Sequence, residues 1–362
     1  MQKNVMHKIK RTLLLLALVF WAVQAAAVRV GVLLPLKERS PLGQMMLEFY
    51  RGLLLAVDSV KNQGLSVEVY TLDSGTTEAS LREALAGGSL RPADLIFGPG
   101  VPEQAEALAA YCRQQGIRLV MPFNTPCATL ATNPYVFQAM LPQEALYEAA
   151  VQLTLESLAD AHFVLLRCGE ADDRAASFQS ALAERLQAYG LPHSVLNVQA
   201  DAGAVVQALS ITRNNLVIPD SRSEAALERM AQQLNAFRQT HPNYRFSLLG
   251  YPDWLAFATR RSELLFACDT YLFTPFYANP LSGRTIRFAQ RYEQDFRSPL
   301  LPLLPSPAMT GFDLGYHFLH GVNPQPLQQD FDFQPVAEQG GQANCRLQLV
   351  HFASNKLIQV IR

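Results

Sequence analysis

The turn at residues 98–103, Gly-Pro-Gly-Val-Pro-Glu, is the first place where residue type and spacing could do chemistry. Gly98 and Gly100 imitate the opening of a dinucleotide fingerprint, which wraps backbone N–H groups around a pyrophosphate. Glu103 stands where the third glycine is needed and would repel that group, and Pro99 and Pro102 remove donors, so nucleotide binding is rejected. Asp313, His317 and His320 fall at i, i+4 and i+7 of a predicted helix and share a face. A metal site and a plain solvated or capped helix face both fit that spacing, and so few ligands favour the second. Asp172 and Asp173 have no identifiable catalytic partner and read as helix-cap residues. No Walker A, H-E-x-x-H or G-x-S-x-G sequence occurs. The chain is therefore expected to be no enzyme and to use no cofactor or metal. Cys112, Cys127, Cys168, Cys268 and Cys345 include no C-x-x-C pair, and their odd number leaves at least one free or paired between chains. Cys112 and Cys127 either approach each other or are simply small buried residues.

These residues must be positioned by elements, and residues 93–125 show which. An apolar run at 95–97 ends in the Gly98-Pro99-Gly100 turn, since glycine enters positive φ freely and proline punctuates the chain. Ala105, Leu108, Ala109 and Cys112 recur at helical spacing, Gly116 ends that helix, and 117–121 is the next strand, stopped by Pro122. In an open parallel sheet ligands sit beyond the carboxyl ends of the strands. The turns at 98–103 and 122–125 are thus adjacent loops facing one crevice. Strands predicted at 28–35, 65–72, 95–97 and 117–121 alternate with helices at 44–61, 77–86 and 105–115, and a further strand at 137–142 serves as a crossing point. The pattern then starts afresh, with strands at 162–167, 194–198, 215–219 and 245–250 between helices at 143–158, 175–189 and 224–241. Helices at 286–296 and 308–320 follow, and strands at 331–333, 346–352 and 356–361 close the chain. Alternation of this kind means an α/β fold with parallel sheets covered on both faces.

Length and composition agree. The 362 residues suggest two domains, and 49% apolar with 17% charged residues is globular. A formal charge of −1 offers no basic field for nucleic acid or an anionic membrane. Residues 1–27 read as a signal peptide: Lys3, Lys8, Lys10 and Arg11 precede an apolar stretch at 12–23, too short to span a bilayer, and Ala25-Ala26-Ala27 offers a cleavage site. The mature chain is expected to start near Val28, to be periplasmic and to lack a membrane span. With the first cysteine at 112 it is expected not to be a lipoprotein.

The ordered set VGVLLPL (30–36), Gly52, Ala56, Asn62, Asp73, FGPG (97–100), MPFNT (121–125), YVFQAMLP (135–142) and AMTGFDLGY (308–316) resembles the type I periplasmic binding proteins, and more narrowly their leucine/isoleucine/valine-binding branch. The resemblance covers nearly all of the mature chain. It implies two doubly wound parallel-sheet lobes joined by three crossing segments and closing on a ligand. Lobe one is expected at 28–141 plus 276–328, and lobe two at 142–275 plus 329–362.

The same resemblance implies a site. In amino-acid binders of the family a hydroxyl and a helix N-terminus after the FGPG-like turn hold the ligand carboxylate. Here Pro102 has neither hydroxyl nor N–H, and Glu103 adds negative charge. In the second turn Phe123 replaces a small residue, Asn124 follows, and Thr125 keeps a hydroxyl. In the second lobe Glu170, with Asp172 and Asp173, either meets a ligand ammonium or caps a helix. Tyr251 and Asp253 stand where the family makes its second-lobe contacts, and Tyr277 follows a crossing strand. An acidic, aromatic-lined cleft of this kind suits a cationic or neutral ligand. Two functions follow. The first is a solute-binding protein holding an amino acid or similar small molecule for an ABC permease. The second is a ligand-poor envelope module, interactive or regulatory, working with a cell-wall-associated protein.

Overall fold

Two seven-stranded sheets carry the chain, and both are wound the same way. The computed structural model describes residues 27–123, 125–140, 143–170, 172–321, 323 and 325–361. The expected signal segment before residue 27, Asn124 and the end of the first crossing at 141–142 lie outside the described residues.

The first sheet is organised on β1 (Val28–Leu34), whose last five residues are buried. The chain continues through α1 (Pro41–Lys61), β2 (Val67–Asp73), α2 (Glu78–Ala86), β3 (Leu95–Phe97), α3 (Ala105–Gln115), β4 (Arg118–Met121) and β5 (Val136–Gln138). β1 pairs in parallel with both β2 and β3, and β4 and β5 follow in parallel, giving the order β2-β1-β3-β4-β5. Helix α1 begins at Pro41, three residues before the periodic pattern starts, because Ser40 caps it: its side chain accepts from the Gly43 N–H, and proline suits the first helical turn.

The second sheet repeats this winding. After α4 (Gln143–Leu158) come β6 (His162–Arg167), α5 (Asp173–Ala188), β7 (His193–Asn197), α6 (Ala202–Ala208), β8 (Asn214–Pro219), α7 (Glu224–Thr240), β9 (Arg245–Gly250), the short α8 (Leu255–Ala258) and α9 (Ser262–Ala267), and β10 (Thr270–Thr274). Their order is β7-β6-β8-β9-β10, again parallel. Near-continuous apolar strands such as Phe163–Leu166 fit a sheet covered on both faces.

The chain then returns to the first unit through α10 (Gly283–Phe296) and α11 (Pro307–His320), the latter packed along α1. The sequence expectation assigns everything from residue 329 onward to the second lobe, and the structure corrects it. β11 (Phe333–Pro335) and β12 (Gln342–Asn344) form an antiparallel pair, and β12 lies parallel beside β5, so both strands belong to the first sheet. The third passage between sheets therefore falls at 345–347, ahead of β13 (Gln348–Phe352) and β14 (Ile358–Ile361). That hairpin, expected from sequence, adds to β10 in the second sheet.

The passages are stitched by polar contacts. The Gln328 carbonyl accepts from the Tyr277 N–H at 2.8 Å and from Gln348 Nε2 at 3.4 Å, and Asn344 Nδ2 donates to the Ala139 carbonyl at 3.2 Å. Among the described residues no helix is long and apolar enough to cross a membrane.

Candidate functional site

In both sheets the winding reverses between the first strand and the third, at β1/β3 and at β6/β8. A ligand crevice forms outside the carboxyl ends of strands at such a switch point. Four loops therefore define the candidate site: 35–40 and 98–103 in the first unit, 168–172 and 220–223 in the second. The loops after β4, β9 and β10 flank them.

In the first unit the turn after β3 is fixed by Gly98. Its φ is +153°, and a Cβ there would stand 2.4 Å from the Leu33 carbonyl oxygen. Pro102 and Glu103 are exposed in a short 3-10 turn, Pro102–Gln104, that lacks a side-chain cap. The next residue, Gln104, faces inward instead. Its Nε2 donates to the carbonyls of Ser74, Gly75 and Thr77, binding this turn to the loop after β2. Phe123 is half-buried and packs edge-on against Phe49, with centroids 5.1 Å apart. Thr125 is buried, and its hydroxyl donates to the Phe123 carbonyl at 3.2 Å, so the one hydroxyl of this turn is spent within it. The Asn124 assignment lies outside the described residues.

In the second unit the acidic, aromatic cleft expected from sequence is corrected on two counts. Tyr251 does not line a cleft. It is fully buried among Phe178, Phe273 and Trp254, and its hydroxyl donates to the Pro219 carbonyl at 2.6 Å. Burial pushes its pKa well above the ordinary phenol value. Three of the acids, in turn, Glu170, Asp172 and Asp253, are already paired. Arg222, which the sequence reading passed over, reaches Asp172 at 2.8 Å through Nε and Asp253 at 2.7 Å through Nη1. Its backbone N–H adds a 2.8 Å bond to the second Asp172 oxygen. Asp172 also caps α5, as expected, accepting from the Ala175 N–H. Burial works against the charge on Asp172, yet the Ala175 N–H and the Arg222 contacts hold its carboxyl below the usual carboxylate value. Glu170 is exposed and pairs with Arg229 at 3.0 Å.

Tyr277 is half-buried beside Phe352 and borders an apolar cavity of about 350 Å³ between α8, α9 and residues 276–281. Burial raises its hydroxyl to about 12. The structure thus gathers Asp172 and Asp253 around Arg222 from three strand ends of the second unit, pairs Glu170 with Arg229, and sets Pro102, Glu103, Phe123 and Thr125 at the other unit's strand ends. It separates Tyr251, in the core, and Tyr277, at the passage. Arg222 could have been found by examining every strand-end loop for charge, since it directly precedes the α7 cap Ser223.

The metal reading of the Asp313 face is resolved by geometry. Asp313 turns its carboxylate onto the backbone N–H groups of Leu327, Gln328 and Gln329, while His317 packs edge-on against Phe331 and tilted against Phe333. Among the described residues no group of three His, Cys, Asp or Glu side chains could hold a metal ion. All five cysteines are free thiols.

A direct test separates core duty from ligand contact at Tyr251. Tyr251→Phe is expected to lower unfolding stability by about 1–2 kcal/mol, because it orphans a buried carbonyl, and to leave any small-molecule response unchanged. A changed ligand response in a thermal-shift titration, with stability intact, would return Tyr251 to the site.

No protein-family model matches the chain, and neither does any curated protein. Solved structures do. A Rhodospirillum rubrum protein assigned to branched-chain amino acid ABC transport superposes with a TM-score of 0.57 at 16% identity, over 92% of this chain and 100% of that one. Full-length LpoA from Haemophilus influenzae gives 0.56 in one crystal form and 0.54 in another, at 15% identity, over 93% of this chain. The chain spans only 59% of LpoA's length. At such identities the shared property is the architecture, and the twin sheets, their common winding and the three passages are that architecture. The chain is built on the type I periplasmic binding protein fold.

Proposed function

We propose that this chain is an exported envelope module, interactive or regulatory, that keeps the two-lobed binding fold while its cleft is not set to clamp a free amino acid. Lobes at about 28–140 with 276–344, and 143–275 with 345–361, would move as its two jaws. One observation carries the reading: among the described residues of the turns at 98–103 and 122–125, no side chain offers a free donor where a ligand carboxylate would be held. Pro102 supplies no N–H, Glu103 projects a negative charge there, and the Thr125 hydroxyl is bonded inward. A helix start holds an anion through unpaired N–H groups. The expected partner is a cell-wall-associated envelope protein, and the expected location is the periplasm, reached through the signal segment read in the sequence.

A second reading has its own support. The match covers the full length of the Rhodospirillum rubrum protein and 92% of this chain. On that reading it would hold an amino acid or similar solute for an ABC permease.

Thermal unfolding of the mature protein, stripped of ligand by refolding, decides between them. A ligand that binds only the native state adds about 2.7 kcal/mol at a hundredfold excess over its dissociation constant. Amino acids, short peptides, polyamines and wall fragments form the panel. The proposed reading expects no midpoint shift with any free amino acid. A clear, saturable shift with one of them establishes the solute-binding reading instead.

A further inference from the structure

At the second switch point a cation of the chain itself is already in place. We infer that Arg222 is an internal occupant of the second unit's strand-end corner: its guanidinium fills the space between Asp172 and Asp253 and closes that face of the cleft to a cationic ligand group. The inference rests on the proposed reading in that it places the candidate cleft at the switch points.

The three residues come from three different loops, after β6, β8 and β9. Arg222 lies 50 residues from Asp172 and 31 from Asp253 in sequence, so only the fold brings them together. The contacts use separate guanidinium atoms, Nε to Asp172 at 2.8 Å and Nη1 to Asp253 at 2.7 Å, so one planar group bridges two carboxylates held on different loops. The backbone is fixed as well as the side chain. The Arg222 N–H donates to Asp172 at 2.8 Å, and the Arg222 carbonyl accepts from Trp254 Nε1 at 2.9 Å, with Trp254 fully buried. The Arg222 side chain is only 21% exposed, against 48% for Asp253. The guanidinium therefore sits below the rim that its partner forms.

The chemistry has a consequence for specificity. A ligand ammonium or guanidinium arriving at this corner meets carboxylates already bonded to Arg222, through Asp172 and through Oδ1 of Asp253, and it must compete with a tethered group. A tethered group has an effective concentration that a free one in solution rarely matches. Arg222 thereby acts as a specificity-determining residue against cationic ligands, and its removal should convert the corner into a site for a free guanidinium.

The experiment compares wild type with Arg222→Ala by thermal unfolding at constant ionic strength. Guanidinium and methylguanidinium are added at millimolar levels, with tetramethylammonium as the screening control. The inference expects guanidinium to raise the midpoint of Arg222→Ala by about 2–4 °C relative to the control cation, to leave wild type unmoved, and to lose the effect in Arg222→Ala/Asp253→Asn. Equal responses of the variant to guanidinium and tetramethylammonium overturn it. If Arg222→Ala yields no folded protein, Arg222→Gln, which keeps part of the stem and a donor, takes its place with the same expectations. A wild-type shift with a free amino acid would defeat the proposed function yet leave the assignment of Arg222 to the guanidinium result, so the two failures are distinguishable.

Discussion

Asp313→Ala is expected to destabilise the fold by about 3–5 kcal/mol, measured as the loss of unfolding free energy in urea. Asp313 is fully buried on α11. Its Oδ1 accepts from the Leu327 N–H at 2.7 Å, and its Oδ2 accepts from the Gln328 and Gln329 N–H groups at 2.8 and 3.0 Å. Removing the carboxylate leaves three buried backbone donors without an acceptor, and each carries a desolvation cost. The damage also reaches the passages between units. Held by Asp313, the Gln328 peptide offers its carbonyl to the Tyr277 N–H and to Gln348 at the start of β13. Small-angle scattering of the variant should therefore show a broader spread of interlobe arrangements than wild type. A loss below about 1 kcal/mol, within the range of an ordinary surface change, would show that other groups hold the segment.

The same carboxyl predicts a pH effect. Burial raises Asp313 to about 7, against the pull of the Gln328, Leu327 and Gln329 N–H groups. A carboxyl raised in the native state binds its proton more tightly there than in the unfolded chain. Its contribution is therefore fully present below the unfolded value of about 4 and is lost as pH rises through the folded value. The stability difference between wild type and Asp313→Asn, which cannot titrate at this position, should shrink as pH rises from about 4 to 8. A difference that is flat across that range would mean the backbone donors cancel the cost of burial.

The parts of this fold that were legible in the sequence are those whose signals are local. The short runs at β3 and β4 stand out because Gly98 and Pro122 end them, and α3 shows its apolar spacing and its Gly116 stop. The β11–β12 pair was barely legible: the strand expected at 331–333 meets β11 only at Phe333, and β12 was not expected. Phe333-Gln334-Pro335 and Gln342-Ala343-Asn344 lack an alternating apolar pattern, and their strand character depends on the edge that β5 offers. Tertiary context sets strand preference more than intrinsic propensity does. The same division runs through the candidate site. Its loops follow from the β-α-β order, but the direction of each side chain does not. Tyr251 could face outward from a strand end as readily as inward, and the Pro219 carbonyl from a neighbouring strand decides it. Asp172 was legible as a cap because its acceptor role is local, whereas Arg222 was missed because both its acidic partners are distant in sequence.

Gly52→Val is expected to cost about 4 kcal/mol or more, and Gly52→Ala about 2–4 kcal/mol, because the first unit has no room at that seam. A Cβ on Gly52 would stand 1.9 Å from the Ala308 carbonyl oxygen, and one on Gly311 would stand 2.1 Å from that of Phe49. Both obstacles are helix backbone, which cannot rotate aside as a side chain does. Helices α1 and α11 touch at glycines, and any added methyl must drive them apart. Separation would break more than packing. Glu48, one turn before Gly52, is buried and reaches across the seam, accepting from the Leu301 N–H at 2.6 Å and the Ala308 N–H at 3.4 Å at the start of α11. Gly87 supplies the control: it ends α2 at φ −66°, with nothing nearer than 3.9 Å to a Cβ, so Gly87→Ala should stay within about 1 kcal/mol of wild type. The seam also joins the candidate cleft loop to the segment that links the passages. α1 starts directly after the 35–40 loop at the first switch point, and α11 carries Asp313, which anchors the segment linking the passages. A helix pair with no slack transmits a displacement of one end to the other. If Gly52→Ala left both stability and the interlobe spread unchanged, α1 and α11 would have to be free to separate, and the cleft loop would be uncoupled from the hinge.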